Sequence, residues 1–247
     1  MMNFLTGELP ARHGFFTRNG GVSTGAYASL NCSFSGADEV ASIRENRARV
    51  AQALGVAPAA LLGLKQVHGT RVITVTTPWA IGAGPEADAL ITNRPGLALG
   101  VITADCAPVL FADAAGGIIG AAHAGWRGAF LGVLEATVEA MRALGAQDIH
   151  AAIGPCIHQQ SYEVSDDLRT PIVEDDASAA RFFIPGRPER WLFDLPGYCA
   201  ARLAQAGVAA DILPNDTCAE AHDFFSYRRK TLRHEAATGH QISVIRT

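Results

Sequence analysis

Several absences narrow the reading of this chain before any motif is considered. Its five cysteines, Cys32, Cys106, Cys156, Cys199 and Cys218, include no Cys-x-x-Cys pair, so the clustered ligands of a structural zinc site are missing. The count is odd, and a disulfide framework is not expected in a chain long enough to build a core without staples. No stretch approaches about eighteen uninterrupted apolar residues, and the opening MMNFLTGELPARHGFF has no basic segment followed by a sustained apolar one. The expectation is a soluble cytoplasmic protein with no membrane partner. Charge of one sign is also scarce: the formal net charge is −4 and the sequence pI about 6.0, with Lys and Arg scattered. No basic stripe suggests nucleic acid. A glycine-rich dinucleotide fingerprint and a P-loop are both missing, which argues against nicotinamide and ATP chemistry. No internal repeat, low-complexity tract or long linker divides the chain, and no exposed apolar helix face implies a protein partner.

What remains is 247 residues, 49% hydrophobic, enough for one domain with a deep pocket. Apolar positions Phe130, Val133, Leu134, Val138, Met141 and Leu144 recur at helical spacing and predict a helix over 129–144 stopped by Gly145. A second helix is predicted from Asp38 or Glu39 to Leu54, with Val40, Ile43, Val50 and Leu54 inward and Gly55 ending it. A third follows the cap-like Asp194-Leu195-Pro196, runs from Gly197 to Ala206 and closes at Gly207. Strands are expected at 72–75, 89–91, 97–102, 109–111, 118–123, 150–153, 212–213 and 241–245. Several strands follow one another between helices, so the expected class is α+β, a single domain of mixed β-sheets flanked by helices across 1–247. The span Asp175 to Arg190 is the most loop-like and is expected to be a mobile cover.

The chemistry concentrates between Gly100 and Leu134. Cys106 follows Asp105 where the run Gly100-Val101-Ile102 gives way to Pro108. His123 ends the run Ile118-Ile119-Gly120-Ala121-Ala122, and His68 lies beside Val67 and the turn at Gly69. Two imidazoles and a thiolate suit zinc, and three protein ligands leave a fourth position open. Ligands scattered one per segment need the whole fold to assemble them, as catalytic metals do. The alternative is a small buried thiol and two hydrogen-bonded histidines. Cys156, after the apolar Ala151-Ala152-Ile153, is a reserve candidate. Gly125-Trp126-Arg127-Gly128 joins a strand end to a helix start, where amides and the Arg127 fork would suit an anion. Arg18 with Gly20-Gly21 would suit an oxygen-rich ligand. Phe224-Phe225-Ser226-Tyr227-Arg228-Arg229 reads either as a stacking wall or as core aromatics followed by surface charge.

Taken in order, Phe16-Thr17-Arg18 with Gly20-Gly21-Val22-Ser23, Gln66-Val67-His68-Gly69, Glu86-Ala87-Asp88-Ala89-Leu90, Thr103-Ala104-Asp105-Cys106, Ala122-His123-Ala124-Gly125-Trp126-Arg127-Gly128, Ile153-Gly154-Pro155 and Phe224 to Arg229 form a series. The series resembles the family known as peptidoglycan editing factor, multicopper polyphenol oxidoreductase (laccase-like) or purine nucleoside phosphorylase of the FAMIN type, over nearly the whole chain. The resemblance implies a domain related in shape to the catalytic domain of cytotoxic necrotizing factor, and a zinc ion held by His68, Cys106 and His123. It also implies phosphorolysis of adenosine, inosine and methylthioadenosine, with adenosine deamination as a second activity. Purine nucleosides and phosphate would then be the partners. Within that reading Arg127, Gly125 and Gly128 are candidates for the anion cradle, Arg18 and Arg228 for further substrate contacts, and Cys106 for the reacting centre. Asp105 or Glu86 is a candidate proton carrier, and a zinc-polarised water would serve deamination. Three other functions stay open: a copper-dependent polyphenol oxidase, a hydrolase or amidase of peptidoglycan precursors using Cys106 as nucleophile and His123 as base, and a nucleoside sensor without turnover.

Overall fold

The structure, a computed structural model, describes residues 3–115 and 117–247. In chain order its strands and α-helices are β1 (Phe4–Leu5), β2 (His13–Phe16), α1 (Val40–Leu54), β3 (Leu61–Leu62), β4 (Val72–Thr74), β5 (Ala89–Thr92), β6 (Ala98–Thr103) and β7 (Ala107–Asp113). They continue with β8 (Ile119–Ala124), α2 (Trp126–Leu131), α3 (Val133–Ala143), β9 (Ile149–Ile153), β10 (Glu163–Val164), α4 (Asp166–Asp175) and β11 (Phe183–Pro185). The last are β12 (Trp191–Phe193), α5 (Leu195–Gln205), β13 (Ala210–Ile212), α6 (Tyr227–Leu232) and β14 (Gln241–Arg246). The class is mixed α+β.

Two sheets carry the architecture. One has the order β1-β2-β14-β6-β3 and the other β13-β9-β7-β8-β5-β4, and a small sheet β10-β12-β11 stands beside them. The period of two along each strand divides the apolar side chains between two faces. Leu99 and Val101 of β6, Leu110 and Ala112 of β7, and Ile119 and Ala121 of β8 meet between the sheets. The intervening residues face outward: Ala98, Ile242 and Val244 pack with Val50, Ala51 and Leu54 of α1. On the far side Val109, Phe111 and Ala122 pack with Val133, Leu134, Val138 and Met141 of α3 and with Tyr198, Cys199 and Leu203 of α5. The layers are therefore helix, sheet, sheet, helix, with three cores between them.

All eight expected strands are present, each end within two residues of its expected place. α1 ends at Gly55 in the left-handed conformation, φ 72°, but Val40 at its start is 54% exposed and does not join the core. The helix expected over 129–144 is two helices. Gly132 at φ 100° ends α2 and begins α3, because that backbone conformation breaks the helical hydrogen-bond ladder. α5 starts after Asp194, whose carboxylate accepts from the Gly197 amide at 3.0 Å. The span read as loop-like carries regular structure: a 3-10 helix at Ala177–Phe182 leads into β11, and Ala179 and Phe183 are buried. Phe183 stacks on Phe193 with ring centroids 4.5 Å apart, which anchors the small sheet to the main core.

Candidate metal centre and its cavity

The same alternation that fills the space between the sheets leaves polar side chains at one end of it. His123 shares the parity of Ile119 and Ala121 on β8, so it continues their row at the end of the strand. Asp88 immediately precedes β5 and shares the parity of Leu90. Cys106 sits in the turn between β6 and β7, reached through Asp105 at φ 96°. His68 lies in the connection between β3 and β4 at φ 58°. Left-handed backbone at these two non-glycine residues is the mark of a local arrangement that the surroundings impose.

Asp88 imposes it. The carboxylate is fully buried and accepts backbone N–H groups from His68 at 2.9 Å and Gly69 at 2.6 Å, with Val67 at 3.2 Å. These bonds bend the 67–69 turn around one side chain. Asp88 Oδ1 also lies 2.8 Å from His123 Nδ1. That contact fixes Nδ1–H as the donor and leaves Nε2 free as a ligand atom. Burial alone would raise the Asp88 pKa, but the bonds from His123 and the Gly69 and His68 amides outweigh it and hold the carboxyl below its ordinary value.

Ligand atoms of His68, Cys106 and His123 all lie within 4.8 Å of one another. Cys106 Sγ is 3.9 Å from His68 Nε2, and the two imidazole centroids are 4.7 Å apart at 81°. Burial would raise the Cys106 thiol, yet the adjoining His123 and His68 rings bring it down to about 6. Burial would lower His123, but the Cys106 thiolate and Asp88 raise it to about 9. The adjoining rings therefore favour the thiolate, and a bound cation would take the place of the His123 proton. Gly125 completes the fit: a Cβ there would stand 2.9 Å from Cys106 Sγ. The donor set, the oriented His123 and the missing side chain at 125 suit a metal ion. Among the described residues this is the one cluster of three or more such side chains placed to hold an ion.

The cluster lines a cavity of about 930 Å³, large enough for a small organic ligand. The lining also includes Trp126, Tyr162, Tyr227 and Arg228, and Phe34, Trp79 and Leu64 with Arg47, Thr103 and His240. Arg47 is 6% exposed. Its Nη1 donates to the Cys32 carbonyl at 3.3 Å, its Nε has no partner, and no carboxylate pairs with it among the described residues. Buried cationic groups are normally paired. Thr103 Oγ1 and His240 Nδ1 are likewise buried without a partner.

Not every sequence-predicted residue reaches this cavity. Asp105 and Arg228 line it; Asp105 accepts from Thr217 Oγ1 at 2.8 Å and from the Arg228 amide at 2.6 Å. Gly125 touches the ligands, and Gly128 packs against the Gly69 carbonyl. Glu86 is exposed outside the lining and pairs with Lys65 at 2.7 Å. Arg127 is exposed and outside the lining too. The Arg18 guanidinium is tied to the Ala28 carbonyl at 2.8 and 2.6 Å and stacks on Phe225 at 4.3 Å. It braces the 18–29 loop away from the cavity. Cys156 is a fully buried core thiol, and burial pushes its pKa far up. Phe224 and Phe225 are buried, so only Tyr227 and Arg228 of that motif face the cavity.

Asp88 and Arg47 are the residues whose importance the sequence reading missed. The signal for Asp88 was a carboxylate directly before the wholly apolar run Ala89-Leu90-Ile91. For Arg47 it was position: it lies four residues after Ile43 and three before Val50, on the inward face of α1.

Comparison with known proteins shows the family. The family model described as multi-copper polyphenol oxidoreductase laccase matches residues 12–247. The chain belongs to this family. It is 43% identical over 226 residues to a purine nucleoside phosphorylase of Deinococcus radiodurans, covering 90% of this chain and 85% of that protein. To purine nucleoside phosphorylase YfiH of Escherichia coli it is 40% identical over 232 residues, with 93% and 90% covered. The crystal structure of a Neisseria meningitidis protein superposes with a TM-score of 0.87 at 37% identity, covering 98% of both chains. YlmD from Geobacillus stearothermophilus gives 0.84 at 29%, covering 95% of this chain and 92% of its own. Among the described residues no helix is long and apolar enough to cross a membrane.

Proposed function

We propose that this chain is a zinc-dependent purine nucleoside phosphorylase, one domain over 1–247, acting in the cytoplasm on adenosine, inosine and methylthioadenosine, with adenosine deamination as a second activity. The likeness in shape to the cytotoxic necrotizing factor catalytic domain belongs to the same proposal. The observation that carries it is one cavity holding both a three-ligand cation position and a buried arginine without a counter-charge. The names of the relatives support the reaction class.

Phosphorolysis breaks the bond between base and sugar and joins phosphate to the sugar carbon. It needs a dianion held beside the nucleoside and relief of negative charge on the departing base. Arg47 answers the first need, because a phosphate in the cavity would supply the charge and acceptors it lacks. That moves the anion role from Arg127, which stands outside. Zinc, held by His68, Cys106 and His123, would supply Lewis acidity in the same cavity. Asp88 keeps the His123 ring in its orientation. Asp105 lines the cavity with a pKa raised by burial, as a proton carrier requires; Glu86, exposed and paired, does not suit that task. Tyr227, 59% exposed at the rim, offers an aromatic face to a purine.

The test is incubation with adenosine or inosine and phosphate, followed by separation of free base and sugar phosphate, with a chelator arm and a Cys106→Ala arm. Products should appear only in the metal-replete, unaltered chain. Absence of free base across all the nucleosides, with zinc bound, would overturn the reading.

One observation favours a second reading. Cys106, His123 and Asp88 stand in the order of a thiol nucleophile, base and orienting acid, as in a cysteine-dependent hydrolase of peptidoglycan precursors. A thiol alkylating agent separates the two: protection of Cys106 by zinc, with activity dependent on the ion, fits the phosphorylase; activity that survives chelation and dies on alkylation fits the hydrolase. The polyphenol oxidase reading, with copper in place of zinc, has only this single ligand cluster among the described residues to draw on.

A further inference from the structure

We infer that a second cavity, about 420 Å³ and adjoining the first, is a binding pocket for a phosphoryl dianion. Its lining includes Arg187, Arg190, Arg228, Glu163, Ser165 and Tyr162. Tyr162 and Arg228 also line the main cavity, so these two side chains form the partition between the spaces. The Arg228 guanidinium lies over the Tyr162 ring at 5.5 Å and donates to the Glu163 carbonyl, which fixes its place in the wall.

Charge decides what the pocket takes. Arg187 donates from Nε to both Glu163 carboxylate oxygens, at 2.9 and 3.0 Å, and that pair is internally neutral. Arg190 and Arg228 have no carboxylate partner among the described residues. Glu163 therefore offsets one of three guanidinium charges and leaves two, the charge of a phosphate or phosphate monoester near neutral pH. The turn that carries Arg187 and Arg190 is closed by the Arg190 amide on the Arg187 carbonyl at 2.9 Å and the Gly186 amide on the Arg190 carbonyl at 3.0 Å. The turn thus presents the Arg190 fork, while Arg187 meets Glu163 through Nε and Nη2 and masks its charge. Planar guanidinium groups bind tetrahedral oxyanions through paired N–H donors, which a lone ammonium cannot do. Asp166 and Asp167, in the first turn of α4, do not line the pocket; Asp166 accepts from the Trp191 indole at 2.8 Å.

The phosphoryl group has two possible sources, free phosphate or a phosphorylated nucleoside whose sugar lies beyond the Tyr162 partition. The inference concerns binding and does not depend on the activity proposed above. Titration calorimetry at low ionic strength, where exposed arginines are least screened, is run on the unaltered chain, Arg190→Ala and Arg187→Ala. The three probes are inorganic phosphate, adenosine 5′-monophosphate and adenosine. Arg190 and Arg187 are exposed, and neither belongs to the metal centre. The expected result is a loss of about tenfold in phosphoryl affinity in each variant, from the missing fork in Arg190→Ala and from the unmasked Glu163 carboxylate in Arg187→Ala, with adenosine affinity unchanged. A loss confined to the monophosphate assigns the pocket to a substituent on the nucleoside; a loss for inorganic phosphate as well assigns it to the free ion. Unchanged affinity for both phosphoryl probes, an equal loss for adenosine, or no phosphoryl binding by the unaltered chain overturns the inference.

Discussion

Gly125 approaches the metal ligands so closely that a Cβ there would meet Cys106 Sγ at 2.9 Å and His68 Cδ2 at 3.1 Å. The displaced atoms would be the ligands themselves, so Gly125→Ala should cost zinc occupancy while leaving the secondary structure intact. Metal analysis after dialysis, beside a circular dichroism spectrum, checks this; full occupancy would show that the ligands reach the ion from another direction. Asp88 acts through His123 and the 67–69 turn. Asp88→Asn should weaken zinc binding by about 10–100-fold, the usual effect of removing a partner that orients a ligating histidine. A competition titration with a chelator reads it directly, and an unchanged affinity would mean that Asp88 only shapes the turn. The clustering of His68, Cys106 and His123 was legible in the sequence because Cys106 and His123 stand where apolar runs end and His68 beside an apolar residue and a glycine turn, poor places for a residue that merely fills space. Asp88 was less legible than Glu86 because nothing local separates a carboxylate that caps a buried turn from one that pairs with a surface lysine. Arg47 was hidden by its neighbours Glu45 and Arg49, whose exposed ion pair gives the helix a solvated appearance.

Gly132 shows how one residue divides an element. The apolar spacing of 130–144 is continuous, so periodicity predicts one helix, yet the chain turns at φ 100° and begins again. The break sets α2 at its own angle, with Trp126 against the cavity and Gly128 close to the Gly69 carbonyl. Space is available at Gly132, since the first atoms a Cβ would meet lie 3.6 Å away. The cost of Gly132→Ala is therefore backbone strain, about 1–2 kcal/mol, and should lower the melting temperature by roughly 2–8 °C for a chain of this size. A rise in melting temperature would mean that α2 and α3 merge readily into one helix. Longer strands were read correctly because both faces of β6, β7 and β8 are apolar over six or seven residues. The strand β2 escaped because four residues, all buried, show no alternation. β3, with two residues, has no period to read. α4 carries Pro171 in its interior and presents as a loop in sequence.

The three candidate metal ligands come from three separate segments, the β3–β4 connection, the β6–β7 turn and the end of β8, and none of them belongs to the apolar cores. The cores are built by residues such as Phe111, Leu134 and Met141 on the helical side and Leu99, Val101 and Leu110 between the sheets. Folding is expected without the ion, because the cation position sits at the end of a sandwich whose layers are already closed by apolar contact. The ion adds stability by mass action alone: at a free concentration one hundred times its dissociation constant it contributes about 2.7 kcal/mol. For a chain of this length that is a rise of roughly 5–11 °C in melting temperature. Chelation should therefore abolish phosphorolysis, lower the melting temperature by about that amount, and leave the far-ultraviolet spectrum at 25 °C unchanged. Restoring zinc should recover both quantities, since the layers that position His68, Cys106 and His123 remain assembled throughout. Loss of secondary structure on chelation would show instead that the ion helps to close the sandwich, and the separation between the core and the site would have to be abandoned.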